Sequence, residues 1–395
     1  MNFDMSGIIK LKKYVTDSLW PVYRWLGKYY PEQHFYQNLN YNPIRQQRRV
    51  LISYITDLFE MDYNQPVGHT AKLELPIIIK SFMDRDFVVD VIHCHNSDYE
   101  DAVSKKYDVI FGFGGPWMTA VENNPQAVAV MYLTECAPKF SAMQEQARLD
   151  YYAVRHGKRL AITRSNQYFF DEHIKKARIG GVLGNAHTAE TYVRQFPQMK
   201  LNLLSPSGFI NKMMNSCPPL GDENSFLWFG SWGAIHKGLD ILLDVFCKIP
   251  EAKLYIAGLG AGEKWLLNDY QQYDNIIDLG FLDVQSDSFL DLMGKVSYCI
   301  LPSASEGMST SVLTCMRHGL IPVITPSCGI DVEDYGYLIE DYHVEALSQL
   351  IRELMEVPKD ELERKSQAVF VDANRRYSLE AFAEGMREFV DSFVK

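Results

Sequence analysis

Long apolar runs, cysteine pairs and a basic surface are all missing from this chain of 395 residues. No apolar stretch reaches the ~18 residues that cross a bilayer. Met1 to Ser6 lack the basic-then-apolar pattern of a secretory leader, so a cytoplasmic protein is expected. The seven cysteines include no Cys-x-x-Cys pair, and Cys94, Cys299 and Cys315 lie among apolar neighbours. Reduced, buried thiols are expected rather than a disulfide framework. A formal net charge of −11 speaks against a general nucleic-acid binder. There is no Gly-x-Ser-x-Gly nucleophile turn, and Lys237 is followed by Gly238 rather than Ser or Thr, so it is no Walker lysine. His93 and His95 share a strand face without a third ligand close in sequence, and no metal site is expected. Solenoid repeats and low-complexity tracts are absent too.

What is present is an alternation of strands and helices, over a length that points to two domains. Val50–Ile55 is a continuous apolar run, the mark of a strand buried on both faces. Further strands are predicted over Phe87–His93, Tyr107–Phe111, Ala127–Leu133, Arg159–Thr163 and Gly181–Leu183, with helices opening near Thr70 and Thr188. Leu203 to Phe209, with Cys217-Pro218-Pro219 beyond, breaks the pattern and reads as a linker. A second series follows, with strands near 226–230, 253–257, 276–279, 297–301 and 321–324. Helices over Leu347–Leu354 and Leu379–Phe393 close the chain, the last with Ser378 as its N-cap. The expected fold class is α/β, with two Rossmann-like domains facing each other across a cleft. The expected boundaries are a basic, aromatic extension over 1–49, a first domain over 50–205, a second over 206–376 and a terminal helix over 377–395.

Two turns of the second series carry the chemistry. Phe229-Gly230-Ser231 leads through His236-Lys237-Gly238 into an apolar helix, and Leu301-Pro302-Ser303-Ala304-Ser305-Glu306-Gly307-Met308-Ser309 repeats strand, small-residue turn and helix. Both belong at the carboxyl edge of a parallel sheet, where such folds bind ligands. A lysine beside helix amides suits a diphosphate. A carboxylate on the neighbouring turn suits sugar hydroxyls.

These turns, with Leu254-Tyr255-Ile256-Ala257-Gly258-Leu259-Gly260 and Gly319-Leu320-Ile321-Pro322-Val323-Ile324, resemble the GT-B-fold retaining glycosyltransferases, a large nucleotide-sugar-dependent family with a Pro-Ser-x-x-Glu-Gly motif. The resemblance is good over roughly 225–390 and fainter over 50–210. It implies catalytic roles for Glu306, on the donor sugar's hydroxyls, and for Lys237, on the departing diphosphate. It implies donor contacts from Gly230, Ser231, His236, Gly258, Gly307, Met308, Ser309, Thr310 and Thr314. The terminal helix would cross back onto the first domain. Two positions depart from the family. Thr314 stands where a second glutamate usually holds the ribose, and Ser231 where an arginine completes the diphosphate clamp. Arg317 and His236 are candidates to compensate. On the acceptor side, Gly68 and His69 align with the family's glycine-rich turn, where His69 either donates a hydrogen bond or caps its helix. Gly114, in Gly112-Phe113-Gly114-Gly115-Pro116, and Asn185 are further cleft candidates at strand ends.

The resulting expectation is a glycosyltransferase that moves a sugar from a nucleotide-diphosphate donor to a saccharide or lipid-linked acceptor, with retention and without a metal or other cofactor. The alternatives are a sugar-nucleotide epimerase, which needs carboxylates and histidines converging in the cleft, and a catalytically impaired partner subunit, motivated by Thr314 and Ser231. Glu306→Ala is expected to abolish transfer at little cost in stability. Residues 1–49 hold eight Lys and Arg against three Asp and Glu, a net of +5 that leaves −16 elsewhere. With Trp20, Tyr23, Trp25, Tyr29 and Tyr30 among them, this segment either packs on the body or rests on the inner face of an anionic membrane.

Overall fold

The computed structural model describes residues 35–56, 70–96, 98–164 and 169–394. Gly68 and His69, and the aromatic residues from Trp20 to Tyr30, lie outside these. Among the described residues, strands collect into two sheets. The first holds β1 (Phe35–Leu39), β2 (Arg49–Tyr54), β3 (Val88–His93), β4 (Val109–Gly112), β5 (Val128–Leu133), β6 (Ile179–Leu183) and β7 (Lys200–Leu204), in the order β1-β3-β2-β4-β5-β6-β7. The second holds β8 (Asp222–Phe229), β9 (Lys253–Ala257), β10 (Ile276–Gly280), β11 (Val296–Leu301), β12 (Ile321–Ile324) and β13 (Tyr337–Leu338), in the order β10-β9-β8-β11-β12-β13. Every pairing is parallel except β1 against β3.

The second sheet has the doubly wound order 3-2-1-4-5-6, counted from β8. Strand order therefore reverses between β8 and β11, which pair through Tyr298 with Phe226 and Cys299 with Leu227. A crevice opens at such a reversal, because the connections on either side run to opposite faces of the sheet. The first sheet reverses between β2 and β4 in the same way. The two sheets have separate cores. Val50, Ile52, Val89, Val91, Phe111 and Val130 lie in one, and Phe226, Trp228, Ile256, Tyr298, Ile300 and Val323 in the other.

Three elements differ from the sequence reading. Phe35–Leu39, read as part of the extension, is the antiparallel edge of the first sheet. Lys200–Leu204, whose last residues were read as linker, is that sheet's other edge; its mixed exposure hid it from an apolar-run criterion. Arg159–Thr163 is not a strand, because β5 pairs directly with β6 and leaves it no place, so the segment runs over the surface.

Three contacts tie the halves together. The Leu379–Asp391 helix puts Phe382, Met386, Phe389 and Val390 into the first core, where it packs on the Ala71–Met83 helix. Ser378 caps it by accepting a hydrogen bond from the Ala381 amide at 3.1 Å. The Pro138–His156 helix leaves the first sheet and buries Leu149 and Tyr152 in the second core. From it, Arg148 donates to the Pro302 carbonyl at 2.7 Å, and Arg155 pairs with Asp240 and Asp244 of the Leu239–Phe246 helix.

Candidate functional site

The reversal between β8 and β11 brings together two turns some seventy residues apart, and their charged side chains meet. Lys237 Nζ donates to Glu306 Oε1 at 2.9 Å, and Ser303 Oγ donates to the same oxygen at 2.9 Å. Both partners are nearly buried, with side-chain exposures of 7% and 10%. Burial alone would raise the Glu306 carboxyl, but the nearby Lys237 ammonium and the Arg164 guanidinium outweigh it and hold the group at about 2. Glu306 is therefore a fixed carboxylate.

The backbone around the pair is rigidly placed. The Glu306 amide donates to the Ser327 carbonyl at 2.9 Å, and the Ser309 amide to the Cys328 carbonyl at 3.0 Å. A β-carbon on Gly307 would lie 2.2 Å from the Thr134 carbonyl oxygen and 2.8 Å from that of Leu183, so only glycine lets the turn meet the first domain this closely. Gly258, with φ at +86°, would drive a β-carbon to 2.1 Å from the Gly230 carbonyl oxygen. Thr188 Oγ1 donates to the Gly307 carbonyl at 3.0 Å and Cys136 Sγ to the Glu306 carbonyl at 2.8 Å. The first domain is thus seated directly on the Glu306 turn.

A cavity of about 350 Å³ opens beside the pair. Its second-domain wall includes Gly230, Ser231, Lys237, Gly258, Glu306 to Ser311 and Thr314. Thr310 and Ser311 begin a helix, whose first-turn amides have no intrahelical acceptors. Of the expected donor residues, His236 is not on this wall. It is 3% exposed, its Nε2 lies 2.6 Å from the Ser305 carbonyl, and burial lowers its pKa so that the neutral ring is favoured. Thr314 is present with its hydroxyl already used, accepting from the Phe209 amide at 3.0 Å and donating to the Thr310 carbonyl at 2.8 Å. Arg317 lies elsewhere, donating to the Gly208 carbonyl at 2.6 Å and to Asn374 Oδ1 at 3.0 Å.

On the acceptor side, neither Gly114 nor Asn185 reaches the cavity. Gly114 packs on the Cys94 carbonyl, which a β-carbon there would approach to 2.2 Å, and the cavity meets its neighbour Phe113 instead. Asn185 caps its helix, accepting from the His187 amide at 3.1 Å, and donates across to Asp331 Oδ1 at 2.8 Å.

The first-domain wall holds residues that the sequence reading passed over. Glu135 follows β5, and burial pushes its carboxyl up to about 7 against the pull of Arg164. Glu74 accepts from the Ser207 amide at 3.1 Å, and burial raises it to about 7 as well. Tyr54, Phe113 and Arg164 also line this side. Glu135, Tyr54 and Phe113 all stand at or just beyond strand ends, so a uniform application of the strand-end rule finds them. Arg164 lies in irregular chain and carries no such signal. Phe281 to Val284 also line the cavity, with Phe281 67% exposed. Glu263 closes the loop after β8, accepting from the Gly233 amide at 3.0 Å and the Ala234 amide at 2.9 Å.

The comparisons agree with this architecture. Residues 223–357 match the model of the family described as Glycosyl transferases group 1. Among solved structures, a sucrose-phosphate synthase from Thermosynechococcus elongatus aligns over 88% of this chain and 99% of its own, at 14% identity and TM-score 0.60. HepE from Anabaena, in complex with UDP and glucose, aligns over 88% and 100% at 13% identity and TM-score 0.57. TarM aligns over 73% and 55% at 15% identity and TM-score 0.51. No curated protein matches the sequence. The motifs, the doubly wound second sheet and these structural likenesses agree on a GT-B fold, whose second domain matches the Glycosyl transferases group 1 family over 223–357.

Proposed function

We propose that the cleft transfers a sugar from a nucleotide-diphosphate donor to a saccharide or lipid-linked acceptor, with retention of configuration and without a metal. The buried Lys237–Glu306 pair carries this reading, because it sets a cation and a permanent carboxylate side by side on one cavity wall. Several of the similar solved structures hold UDP, among them one with glucose and one with GlcNAc, which supports a sugar nucleotide as the donor class.

The bond from the anomeric carbon to the diphosphate oxygen breaks, and its electron pair leaves with the diphosphate. Lys237 offsets the negative charge that grows there. The acceptor hydroxyl forms the new bond on the same face and gives its proton to the departing diphosphate oxygen, so no protein base is required. Glu306 holds sugar hydroxyls and steadies the positive charge that develops at the anomeric carbon. Phe281, exposed on the cavity wall, offers a flat apolar face to the base. Contact of residues 1–49 with an anionic membrane face remains part of the proposal, with the basic and aromatic residues of that segment as its support.

The test is release of free nucleotide from a panel of nucleotide-diphosphate sugars, compared between wild type and Lys237→Ala. Release in the wild type that is lost in the variant supports transfer at this cleft. Tight binding with no release under any acceptor mixture would instead favour a partner subunit without turnover, the reading to which the occupied Thr314 hydroxyl lends weight.

A further inference from the structure

We propose that Arg164 supplies the second cation of the diphosphate grip, reaching from the first domain into the cavity that Lys237 also lines. The inference rests on the donor class proposed above. It starts from a charge imbalance in the cavity. Among the described residues lining it, the cations are Lys237 and Arg164, whereas Glu74, Glu135, Asp283 and Glu306 are all acidic. Lys237 is already matched by Glu306 at 2.9 Å. A diphosphate entering beside that pair meets no surplus positive charge from the second domain, because Ser231 on the adjoining loop is uncharged.

Arg164 is placed to correct this. Its Cδ would lie 3.2 Å from a β-carbon on Gly233, so the side chain runs against the loop that carries Ser231. Its guanidinium carbon is 6.0 Å from the centre of the Trp232 ring on the same loop. Its main-chain amide is anchored on Glu145 Oε1 at 2.9 Å, which fixes where the side chain starts. Its NH2 lies 4.0 Å from Glu135 Oε1, so the guanidinium stands at the cavity wall beside that carboxylate. A guanidinium presents paired donors that match two phosphate oxygens, which an ammonium cannot do. The other residues considered from the sequence lie off the cavity wall: Arg317 donates to the Gly208 carbonyl, and the neutral His236 ring lies against the Ser305 carbonyl. Because Lys237 and Arg164 belong to different domains, donor binding would also tie the two together.

The experiment is calorimetric titration of the full chain with UDP, GDP and ADP, and with the matching nucleosides, for wild type, Arg164→Gln and Arg164→Lys. Loss of a bidentate charged contact should weaken the preferred diphosphate by about ten- to a hundredfold, with the nucleoside unaffected and the lysine variant in between. Equal diphosphate affinity in wild type and Arg164→Gln overturns the proposal while leaving the donor reading intact. Equal losses for diphosphate and nucleoside, or a lowered melting temperature, would make Arg164 a structural residue and also overturn it. A wild type that binds none of the diphosphates removes the donor reading and this inference with it.

Discussion

The two walls of the cleft are built on different physical terms. On the second-domain wall, Glu306 is paired with Lys237, bonded by Ser303 and held at about 2, a carboxylate under all ordinary conditions. On the first-domain wall, burial raises Glu135 and Glu74 to about 7, so both exchange protons near neutrality. Both walls hold buried carboxyls. What separates them is the counter-charge, since Lys237 at 2.9 Å, together with Arg164, stabilises the ionised form of Glu306 by more than burial destabilises it. One wall is therefore electrostatically set, while the other responds to pH and to whatever binds.

The sharpest way to break the contrast is Glu306→Ala. Turnover should fall by about a hundredfold or more, as for loss of a charge-stabilising group at a reaction centre. The structure also revises the expectation of little stability loss, because the change leaves Lys237 nearly buried without its partner. A drop of about 3 kcal/mol is expected in urea unfolding, and Glu306→Gln with Lys237→Met should recover much of it while staying inactive. An unchanged unfolding midpoint for the alanine variant would show that the pair is not buried in solution.

Gly307→Ala comes next. Its methyl group meets the Thr134 and Leu183 carbonyls at 2.2 and 2.8 Å, so the domains must separate or strain, at about 1–3 kcal/mol. Denaturant unfolding together with limited proteolysis between the domains measures this, and a wild-type profile in both would mean that the first domain does not sit on the Glu306 turn.

Phe281→Ala should act on binding alone. Its ring is 67% exposed, so stability should hold while affinity for the preferred nucleoside diphosphate falls about fivefold, the worth of roughly 1 kcal/mol of ring contact. No change in affinity would move the base elsewhere.

The smallest effect is in pH dependence. An unfolded glutamate loses its proton near 4.5 and folded Glu74 near 7, so between those values the folded state binds more protons. Stability should therefore fall as pH rises through that window and level off above it. Glu135 acts in the same direction. Glu74→Gln should flatten the slope in part and the double Gln variant further, whereas an unaltered slope would mean that these carboxyls ionise normally.

Legibility also differed between the two halves. In the second, the glycine, lysine and glutamate of the two turns stand in recognisable order, and the order alone joins them into one site. In the first, Gly114 and Asn185 stand at strand ends, yet one packs on Cys94 and the other caps a helix. Glycine and asparagine serve turns and caps everywhere, so their presence says little about which side of a turn faces a ligand. Glu135 follows a strand as Glu306 does, but no motif surrounds it.

Alternating apolar runs and turn residues determined by themselves the strand–helix series, the α/β class and the loops that bear Lys237 and Glu306, because those properties are local. Tertiary structure decided what depends on long-range approach: the reversal between β8 and β11 that sets those residues 2.9 Å apart, the hydroxyl of Thr314 spent on Phe209, and Arg164 laid against the Ser231 loop. It also decided the charge of each glutamate, since burial and counter-ions come from residues that no local pattern connects.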